Sequence, residues 1–441
     1  MKSVVAVAQF TATHDVEQNI AVCSKLTEQA KDAHAKVIFL PEALDFIGRG
    51  RSETFELSKK HFSDLLSRYR TLARKHEIWM SLGGLHMPDE EAADDDRVWN
   101  AHMLLDASGN VAGRYDKLHL FDVHIPNKVR VMESGFSKRG RRLVPPVVTP
   151  IGNVALCTCY DMRFAELALW HRQQGAHILT YPSAFTVPTG QAHWHALLRA
   201  RAIECQCYVV AAAQVGAHND KRASYGHALI VDPWGTVLAD CEQRSPTVAF
   251  ATVDLEMLQD VRQRLPCERH RRRDLYTLAT NYGVSDLVES RAFGMQVTVP
   301  SEHIFYSTEH SYAFVNLMPM LPGHVLVASK RLAERLTDLN TTEVADLFLC
   351  AQKVQRIIEQ HFQVSSSTIC VQDGPAAGQT IKHIHVHILP RKPGDFERND
   401  DIYRALQEHD QETEGQQKRK RLKEEMAEEA AAYRSRAENI D

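Results

Sequence analysis

Features that would assign this 441-residue chain to a membrane or secreted class are absent from its sequence. No apolar run approaches the ~20 residues that a membrane-spanning helix needs. The first ten residues, MKSVVAVAQF, run directly into a strand pattern. They lack the charged, apolar and small-residue order of a signal peptide. We therefore expect a cytoplasmic protein that does not associate with membranes.

Neither the cysteine spacing nor the net charge indicates a disulfide-rich or a nucleic-acid-binding protein. The nine cysteines are scattered, odd in number and never arranged as C-x-x-C, which fits reduced thiols in a cytosolic compartment. The formal net charge is −4, so no overall basic field predicts nucleic-acid binding. The apolar and charged fractions are ordinary for a globular protein, and the length is sufficient for two domains.

Three histidines alternate with aliphatic residues in the stretch KHIHVHILP at 382–390. A strand of period two places His383, His385 and His387 on one face. That face has three interpretations: a solvated polar surface, a zinc site, or a nucleophilic imidazole whose neighbours orient it and protonate a leaving group. β-propensity alone does not select His three times, which argues against the first. A zinc protein would retain stoichiometric metal on purification.

Further motifs surround this strand: PGHVLV at 322–327, CVQDGP at 370–375, AGQ at 377–379 and PRKPGDF at 390–396. Over residues 297–408 the sequence resembles the histidine triad (HIT) family, most closely its Fhit branch of dinucleoside polyphosphate hydrolases. The order of the predicted elements is that of an α+β domain. The resemblance implies that His385 is the nucleophile, with His387 and His383 as hydrogen-bond donors to the phosphate or the leaving group.

The same resemblance implies roles for three more residues. His324 would orient the triad, Gln372 would contact the transferred phosphate, and Asn316 would lie at the nucleotide ribose. The implied substrate is a dinucleoside polyphosphate such as diadenosine triphosphate, cleaved to AMP and ADP through a nucleotidyl-histidine intermediate. A divalent cation, Mg²⁺ or Mn²⁺, is expected to arrive with the polyphosphate, without a dedicated protein cage.

Strands and helices alternate through residues 1–280, which predicts a layered α/β domain. Three reactive residues lie in this part of the chain: Glu42 after the apolar strand VIFL, Lys117, and Cys159. Taken singly, each is more often a surface or core residue. Spacing alone does not distinguish Cys159 from Cys157, since alternation puts both on one strand face.

Together the motifs FLPEALDF, YDKLHLFD and CYDMRFAEL resemble the nitrilase (carbon–nitrogen hydrolase) superfamily over residues 3–280, most closely its Nit branch. The resemblance implies an αββα sandwich in which Cys159, directly before Tyr-Asp, is the nucleophile. Glu42 would be the base, Lys117 would stabilise the oxyanion and Glu133 would orient the site, with no cofactor. The implied substrate is a small amide, with deaminated glutathione as the candidate. Ala165 stands where the family usually has Pro.

These patterns divide the chain into a nitrilase-like domain at 1–280, a linker at 281–296, a HIT domain at 297–408 and a charged, partly helical tail at 409–441. The combination resembles the family of Nit–Fhit fusion proteins, which implies a bifunctional hydrolase that assembles as a homotetramer. The alternative is a signalling or scaffold protein that binds diadenosine polyphosphate, with slow turnover ending the signal.

His193 and His195 form one more pair with metal-ligand potential. We expect them instead at the entry to a helix at 197–205 and in contacts between subunits. The tail has two interpretations as well, because its helix at 421–437 would either dock on the HIT domain or stay solvated.

Overall fold

The computed structural model describes residues 2–89, 95–125, 129–273, 275–276, 278, 290–409 and 420–437. The chain divides into two compact units, Met1–Arg271 and Arg272–Asp441. Residues 281–289 of the predicted linker and 410–419 of the tail lie outside the described residues. No helix within the described ranges is both long enough and apolar enough to cross a membrane.

The first unit is built mainly on strands with Val, Ile, Leu and Ala at their buried positions. In chain order these are β1 (Lys2–Phe10), β2 (Val37–Leu40), β3 (Trp79–Met87), β4 (Val98–Leu105), β5 (Val111–Asp116), β6 (Asp122–Ile125), β7 (Val129–Met132), β8 (Ser137–Lys138), β9 (Val147–Thr149), β10 (Gly152–Leu156), β11 (Ile178–Thr180), β12 (Tyr208–Ala211), β13 (Ala213–Asn219), β14 (Arg222–Tyr225), β15 (Leu229–Val231), β16 (Val237–Asp240) and β17 (Thr247–Asp254).

Two large sheets result. The first has the order β14-β13-β1-β2-β3-β4-β5, and β17 also pairs with β1 while β8 pairs with β4. Its centre is parallel from β1 to β3, and β3, β4 and β5 continue as an antiparallel meander. The second sheet has the order β16-β15-β12-β11-β10-β9, with β10, β11 and β12 parallel. β6 and β7 form a separate hairpin.

The helices of the first unit are α1 (Val16–Asp32), α2 (Arg51–His76), α3 (Ala165–Gln173), α4 (Val187–Cys205), α5 (Leu255–Arg264) and α6 (Cys267–His270). Asp15 caps α1 by accepting the Gln18 amide at 3.0 Å, which satisfies one of the exposed donors of the first turn. Helices α1 and α2 cover the outer face of the first sheet, and α3 and α4 pack on the side of the second.

The inner faces of the two sheets meet. Alternate residues of β1, such as Val5 and Val7, are fully buried on the face away from α1. His102 on β4 donates from Nδ1 to the Cys157 carbonyl oxygen at 2.9 Å, just beyond β10. A side chain at Gly113 on β5 would overlap Val147 on β9. The layered α/β architecture is therefore confirmed, as an αββα sandwich.

Two helices are longer than the sequence predicts. The helical pattern of the sequence runs over 58–76 for α2 and 197–205 for α4, whereas α2 begins at Arg51 and α4 at Val187. The first turns of α4 are polar and contain Pro188, which is tolerated at this position because the amide it lacks has no partner there in any helix. His193 and His195 therefore lie in the middle of α4, and the prediction that they form its entry is wrong.

The second unit contains β18 (Arg291–Phe293), β19 (Val297–Val299), β20 (Ile304–Ser307), β21 (Ser311–Val315), β22 (Val325–Ser329), β23 (Ser367–Cys370) and β24 (His385–Pro390). Its helices are α7 (Thr341–Phe362), α8 (Asp401–His409) and α9 (Lys423–Ala437). The main sheet has the order β20-β21-β22-β24-β23 and is antiparallel throughout. The α+β prediction for this unit is confirmed.

Three local differences concern this second unit. β24 begins at His385, so His383 precedes the strand, although Ile384, Val386 and Ile388 pack in the core as predicted. β18 lies inside the predicted linker, where no sustained periodicity predicted a strand, and it pairs with β19 at the start of the predicted HIT domain. Helix α9 docks on α7 and the sheet rather than standing in solvent.

Candidate functional site

Four predicted residues of the first unit converge at one edge of the sandwich. Glu42 follows β2, Lys117 follows β5, Glu133 follows β7 and Cys159 follows β10. All four are buried, with 1–7% of their surface exposed. Loops at the ends of buried strands thus bring together a base, a cation, a second carboxylate and a thiol.

Lys117 forms the ionic centre of this cluster. Its Nζ donates to Glu42 Oε1 at 2.9 Å and to Glu133 Oε1 and Oε2 at 2.9 and 2.8 Å. Burial lowers the pKa of Lys117, but the two carboxylates outweigh it and raise the pKa well above its usual value. The ammonium is therefore charged, and its three protons are directed at carboxylates.

Glu42 sits between this ammonium and the thiol. Oε1 also accepts from Asn100 Nδ2 at 2.9 Å, and Oε2 accepts the Ala184 amide at 2.9 Å. The Cys159 thiol makes a further hydrogen bond to this carboxylate. Burial raises the pKa of Glu42, whereas the charge and hydrogen bonds of Lys117 and the other donors lower it more, to about 2. Glu42 is an ionised carboxylate at neutral pH.

The backbone presents Cys159 to this carboxylate in an uncommon conformation. Cys159 has φ +49°, in the left-handed region that non-glycine residues seldom adopt, and its amide donates to the Pro182 carbonyl at 2.9 Å. Burial and the adjacent Glu42 charge raise the pKa of the thiol. The resting pair is therefore a thiol and a carboxylate, rather than a thiolate beside a carboxylic acid.

Cys157 is not equivalent to Cys159. β10 ends at Leu156, and Cys159 opens a short 3-10 helix, so the two cysteines do not share a strand face as the alternation predicted. Cys157 is completely buried, and burial followed by the charge of Asp161 raises the pKa of its thiol. Only Cys159 of this pair has Glu42 as a hydrogen-bond partner in the described part of the chain.

Asp161 holds the turn that carries Cys159. Its Oδ2 accepts the Tyr115 hydroxyl at 2.7 Å and the Thr158 amide at 2.8 Å, and Oδ1 lies 2.7 Å from His119 Nδ1. Asp161 and Tyr115 are both fully buried. The network joins the strand before Lys117 to the turn of the nucleophile, so it sets the distance between the two motifs.

The second unit assembles the histidines of β24. His385 Nδ1 lies 2.7 Å from the His383 carbonyl oxygen, which can only accept. The proton of neutral His385 is therefore on Nδ1, and Nε2 carries the lone pair. His383 itself accepts the Gly294 amide at Nδ1, at 3.0 Å, so its Nε2 proton points to the Ser329 carbonyl at 2.7 Å. Both ring nitrogens of His383 are thus engaged within the protein.

A relay of two imidazoles fixes His387. The Met320 amide donates to His324 Nδ1 at 3.2 Å, and His324 Nε2 lies 3.0 Å from His387 Nδ1. In the neutral pair, His324 donates from Nε2 and His387 accepts at Nδ1. His387 then carries its own proton on Nε2, beside His385, whose ring centroid is 4.9 Å away. The nucleophilic lone pair and a proton donor stand side by side.

The remaining predicted residues of this unit lie around the same strand. The Asn316 amide lies 3.4 Å from the His324 ring nitrogens, and Asn316 Oδ1 accepts the Met318 amide at 3.1 Å. Gln372 follows β23, which pairs with β24, and a side chain at Gly378 would come within 2.8 Å of the Gln372 amide. Gly378 therefore packs directly against that amide, which also donates to the Leu406 carbonyl at 3.4 Å.

Ring nitrogens of the His strand bond within the protein, both of them in His383 and Nδ1 in His385 and in His387. Among the described residues, only His195, His227 and Asp240 bring three ligand atoms within 4.8 Å of one another. His195 Nε2 and His227 Nδ1 each lie 3.1 Å from Asp240. His193 lies apart from this group, since its Nδ1 is 3.3 Å from Arg163.

Three functional contacts were not recognised in the sequence. Asn100 bridges Glu42 and Glu133, and its only sequence signal is a polar residue within the apolar strand β4. The Ala184 amide is a backbone group, so no side-chain pattern reveals it. The Phe293 ring packs at a tilt against His383 and edge-on against His385, at centroid distances of 5.6 and 5.1 Å, from within the segment predicted to be a linker.

Comparison with known proteins finds one family model in each of the two units. The carbon–nitrogen hydrolase family model matches residues 4–263, and the HIT domain model matches residues 298–394. The nitrilase and fragile histidine triad fusion protein NitFhit of Caenorhabditis elegans is 51% identical over 431 residues, which cover 98% of this chain and 96% of that protein. The crystal structure of the C. elegans NitFhit protein matches with a TM-score of 0.87 at 49% identity, covering 99% of each chain.

The N-terminal unit alone also has close relatives. The deaminated glutathione amidase of Mus musculus is 51% identical over 272 residues, which cover 62% of this chain and 84% of that protein. The chain therefore belongs to the family of nitrilase and fragile histidine triad fusion proteins, with a carbon–nitrogen hydrolase domain followed by a HIT domain.

Proposed function

We propose that the HIT domain cleaves dinucleoside polyphosphates, such as diadenosine triphosphate to AMP and ADP, while the carbon–nitrogen hydrolase domain hydrolyses a small amide to a carboxylic acid and an amine. The observation that carries the first half is the tautomer of His385, whose Nδ1 proton is held by the His383 carbonyl. That hydrogen bond leaves Nε2 as the basic nitrogen, which is the requirement for an imidazole nucleophile.

The HIT reaction is a double displacement at phosphorus. His385 Nε2 forms a bond to the α-phosphorus, and the bond from phosphorus to the bridging oxygen of the leaving ADP breaks. His387 Nε2–H supplies the proton to that oxygen, since the relay from His324 places the proton there. Water then attacks the phosphorus, the nitrogen–phosphorus bond breaks, and AMP leaves. His383 acts through its carbonyl, because its ring nitrogens are engaged elsewhere.

The substrate brings its own cation in this proposal. A polyphosphate is bound as its Mg²⁺ or Mn²⁺ complex, so charge neutralisation does not require a protein cage. Gln372 follows β23, the strand paired with β24, and would contact the transferred phosphate. Asn316, next to His324, would contact the ribose of the same nucleotide.

The nucleophile is tested by rapid quenching of the full chain with diadenosine triphosphate labelled in the α-phosphate. We expect label on the protein in the wild type and none in His385→Asn, with turnover lower by a factor of about 10⁴ or more. His310→Asn is the matched control, because His310 lies on the surface of the same domain and pairs only with Glu309 among the contacts described. A labelled, active His385→Asn protein would contradict the proposal.

The leaving-group role of His387 needs a separate substrate. His387→Asn should slow hydrolysis of diadenosine triphosphate about 10²–10⁴-fold. It should act nearly as fast as the wild type on the p-nitrophenyl ester of AMP, because nitrophenolate leaves without a proton. Equal losses on both substrates would remove the general-acid assignment and leave His387 with a positioning role.

The amidase half follows from the contact between Cys159 and Glu42. The thiol sulfur forms a bond to the amide carbon while Glu42 takes the thiol proton, and the carbonyl oxygen becomes an oxyanion. Glu42 passes the proton to the amine nitrogen of the leaving group, the carbon–nitrogen bond breaks, and a thioester remains on Cys159. Water then attacks the thioester with Glu42 again as base, and the carboxylic acid is released.

Lys117 is the proposed electrophile in this reaction. Its protons point at carboxylates in the free enzyme, so it stabilises the oxyanion by exchanging a bond to Glu133 for one to the substrate. Glu133 would then keep the ammonium in place during the exchange.

Deaminated glutathione is the first amide to test, since the mouse deaminated glutathione amidase matches 272 residues of this chain. Hydrolysis of the amide that joins its keto acid to cysteinylglycine releases that dipeptide, and we expect the wild-type chain to release it and Cys159→Ala to release none. Cys241→Ala is the control, because Cys241 is a buried thiol of the same domain whose sulfur lies 3.8 Å from the Val7 carbonyl oxygen. A folded wild type that releases no cysteinylglycine would exclude this substrate and direct the search to a panel of ω-amides.

A further inference from the structure

The C-terminal segment 421–437, which contains α9, folds back onto the HIT domain. Met426, Ala430 and Tyr433 on one face of α9 are almost completely buried in the core below the sheet. We propose that this segment is a positioning element of the HIT site. It holds the loop 316–324, which joins β21 to β22 and carries Asn316 and His324, and so sets the affinity for the dinucleotide. This inference rests on the proposed function of the HIT domain.

Arg421 makes the first connection between the segment and the loop. Its amide donates to the Leu317 carbonyl at 3.1 Å, and its guanidinium Nη1 lies 3.5 Å from the Asn316 carbonyl oxygen. The same guanidinium is paired with Glu429, one of the residues of α9. Glu429 in turn accepts the Tyr433 hydroxyl at 2.5 Å. Arg421 is thus anchored by α9 on one side and bonds the start of the loop on the other.

A packing contact makes the second connection, at the other end of the loop. The Tyr433 ring lies 5.1 Å from Phe305 and 6.5 Å from Phe362, the last residue of α7. Phe362 lies directly beneath Gly323, where an added Cβ would come within 2.3 Å of its ring. Gly323 has φ +83° and immediately precedes His324. The end of α7 that supports the loop is therefore covered by α9.

The loop itself has mainly local hydrogen bonds. Asn316 accepts the Met318 amide, His324 accepts the Met320 amide, and the His324 amide bonds the Leu321 carbonyl. Local turns of this kind fix the shape of a loop but not its place relative to the sheet. The bond from His324 to His387 and the packing of Met320 against Leu389 and Leu406 hold the later part of the loop. The contact from Arg421 holds its start, and so sets where the Asn316 side chain stands.

The consequence is a split between binding and chemistry. Arg421 contacts the start of the loop, at the residue proposed to bind ribose, whereas the nucleophile His385 lies on β24 and is set by other bonds. Loss of the Arg421 contact should therefore weaken substrate binding more than it slows the bond-breaking steps. Without this contact the loop is less ordered in the free enzyme, so the free-energy cost of ordering it is added when the substrate binds.

The experiment compares variants of Arg421 in the full chain, with diadenosine triphosphate as substrate. We expect Arg421→Ala to raise KM about tenfold, the equivalent of one hydrogen bond of ordinary net strength, with kcat within about twofold of the wild type. The backbone amide bond to Leu317 is kept in both variants, and Arg421→Lys also keeps the charge toward Glu429, so it should recover part of the affinity. Arg436→Ala is the matched control, because Arg436 lies in the same C-terminal segment and bonds His361 instead of the loop.

The outcomes separate this inference from the function on which it rests. An active wild type together with an unchanged KM in Arg421→Ala overturns the inference alone. An equal rise of KM in Arg436→Ala also overturns it, because general loosening of α9 would then be sufficient. A wild type that turns over no dinucleotide contradicts the proposed function, and the inference with it.

Discussion

Replacing Lys117 by methionine removes the only cation within hydrogen-bonding reach of Glu42 and Glu133 among the described contacts. Methionine has a similar length and no charge, so the packing of the loop is disturbed little. The Lys117 and Glu42 side chains are exposed at only 2% and 6%. Water therefore cannot replace the lost ammonium, and the variant isolates its electrostatic role.

The size of the effect follows from burial and distance. At an effective dielectric constant of about 20, one ion pair at the 2.9 Å seen between Lys117 and Glu42 attracts by about 6 kcal/mol. Repulsion between the two carboxylates and the desolvation of the ammonium offset part of this attraction. Removing one partner of a buried pair costs about 3–5 kcal/mol. We expect the free energy of unfolding of the N-terminal unit to fall by that amount at pH 7.

The dependence on pH has a definite sign. In the wild type the pKa of Glu42 lies below its usual value of 4.5, so its stabilising contribution is complete above 4.5 and is lost only as the pH falls toward about 2. Without Lys117, burial acts unopposed and raises the pKa, so the folded variant takes up a proton that the unfolded chain does not. Its deficit should shrink by up to about 2.7 kcal/mol between pH 7 and pH 5, at about 1.36 kcal/mol per pH unit.

Tryptophan fluorescence during urea denaturation measures this deficit selectively, because all five tryptophans lie in the N-terminal unit. Lys31→Met serves as the control, since Lys31 forms an exposed pair with Glu77 at 3.6 Å and should leave stability unchanged. A deficit below about 1 kcal/mol at pH 7 would refute the reasoning. So would a deficit of the same size at pH 5 and pH 7.

Three other changes have expected outcomes. Tyr115→Phe removes a donor to buried Asp161 and should cost about 1–3 kcal/mol by tryptophan fluorescence, with amide turnover reduced and dinucleotide turnover unchanged. Gly323→Ala forces a Cβ against Phe362 at φ +83°. Calorimetry should show a less stable HIT domain, and dinucleotide turnover should fall steeply while amide turnover stays normal. Burial lowers the pKa of His102 to about 4. The unfolded chain therefore takes up a proton at a higher pH than the folded chain, and stability declines as the pH falls from 6.5 to 4. In His102→Gln the part of this decline that comes from the uptake of one proton should be absent.

Residues that belong to short-range patterns were predictable. The hairpin of β4 and β5 is predictable because its strand patterns at 98–106 and 111–115 flank a turn that contains Gly109, and both signals are local. The core face of β24 was found because Ile384, Val386 and Ile388 repeat with period two. Glu42, Lys117 and Cys159 were singled out in combination, although their meeting at one site depends on long-range packing that no single motif encodes.

The missed contacts share a physical reason. Ala184 acts through its amide, which every non-proline residue possesses, and Asn100 acts from a strand whose pairing with β3 decides which way it faces. Phe293 reaches the histidines through a two-strand ribbon too short to produce a period. Backbone donors and short ribbons acquire function only from their place in the fold.

His383 shows the limit of pattern reasoning most clearly. Its spacing from His385 suggested a shared strand face and a shared chemical role, yet it precedes the strand and turns its ring to Gly294 and Ser329. Its carbonyl oxygen, rather than its imidazole, then fixes the tautomer of His385. The sequence contains the residue, but only the backbone geometry distinguishes the two functions.

The central claim is that one chain contains two separate hydrolytic sites, and a crossed measurement tests it most directly. Cysteinylglycine release from deaminated glutathione and AMP release from diadenosine triphosphate would be followed in parallel for the wild type, Cys159→Ala and His385→Asn. We predict that Cys159→Ala loses only cysteinylglycine release and that His385→Asn loses only AMP release. Undiminished cysteinylglycine release by Cys159→Ala, or undiminished AMP release by His385→Asn, would contradict the account.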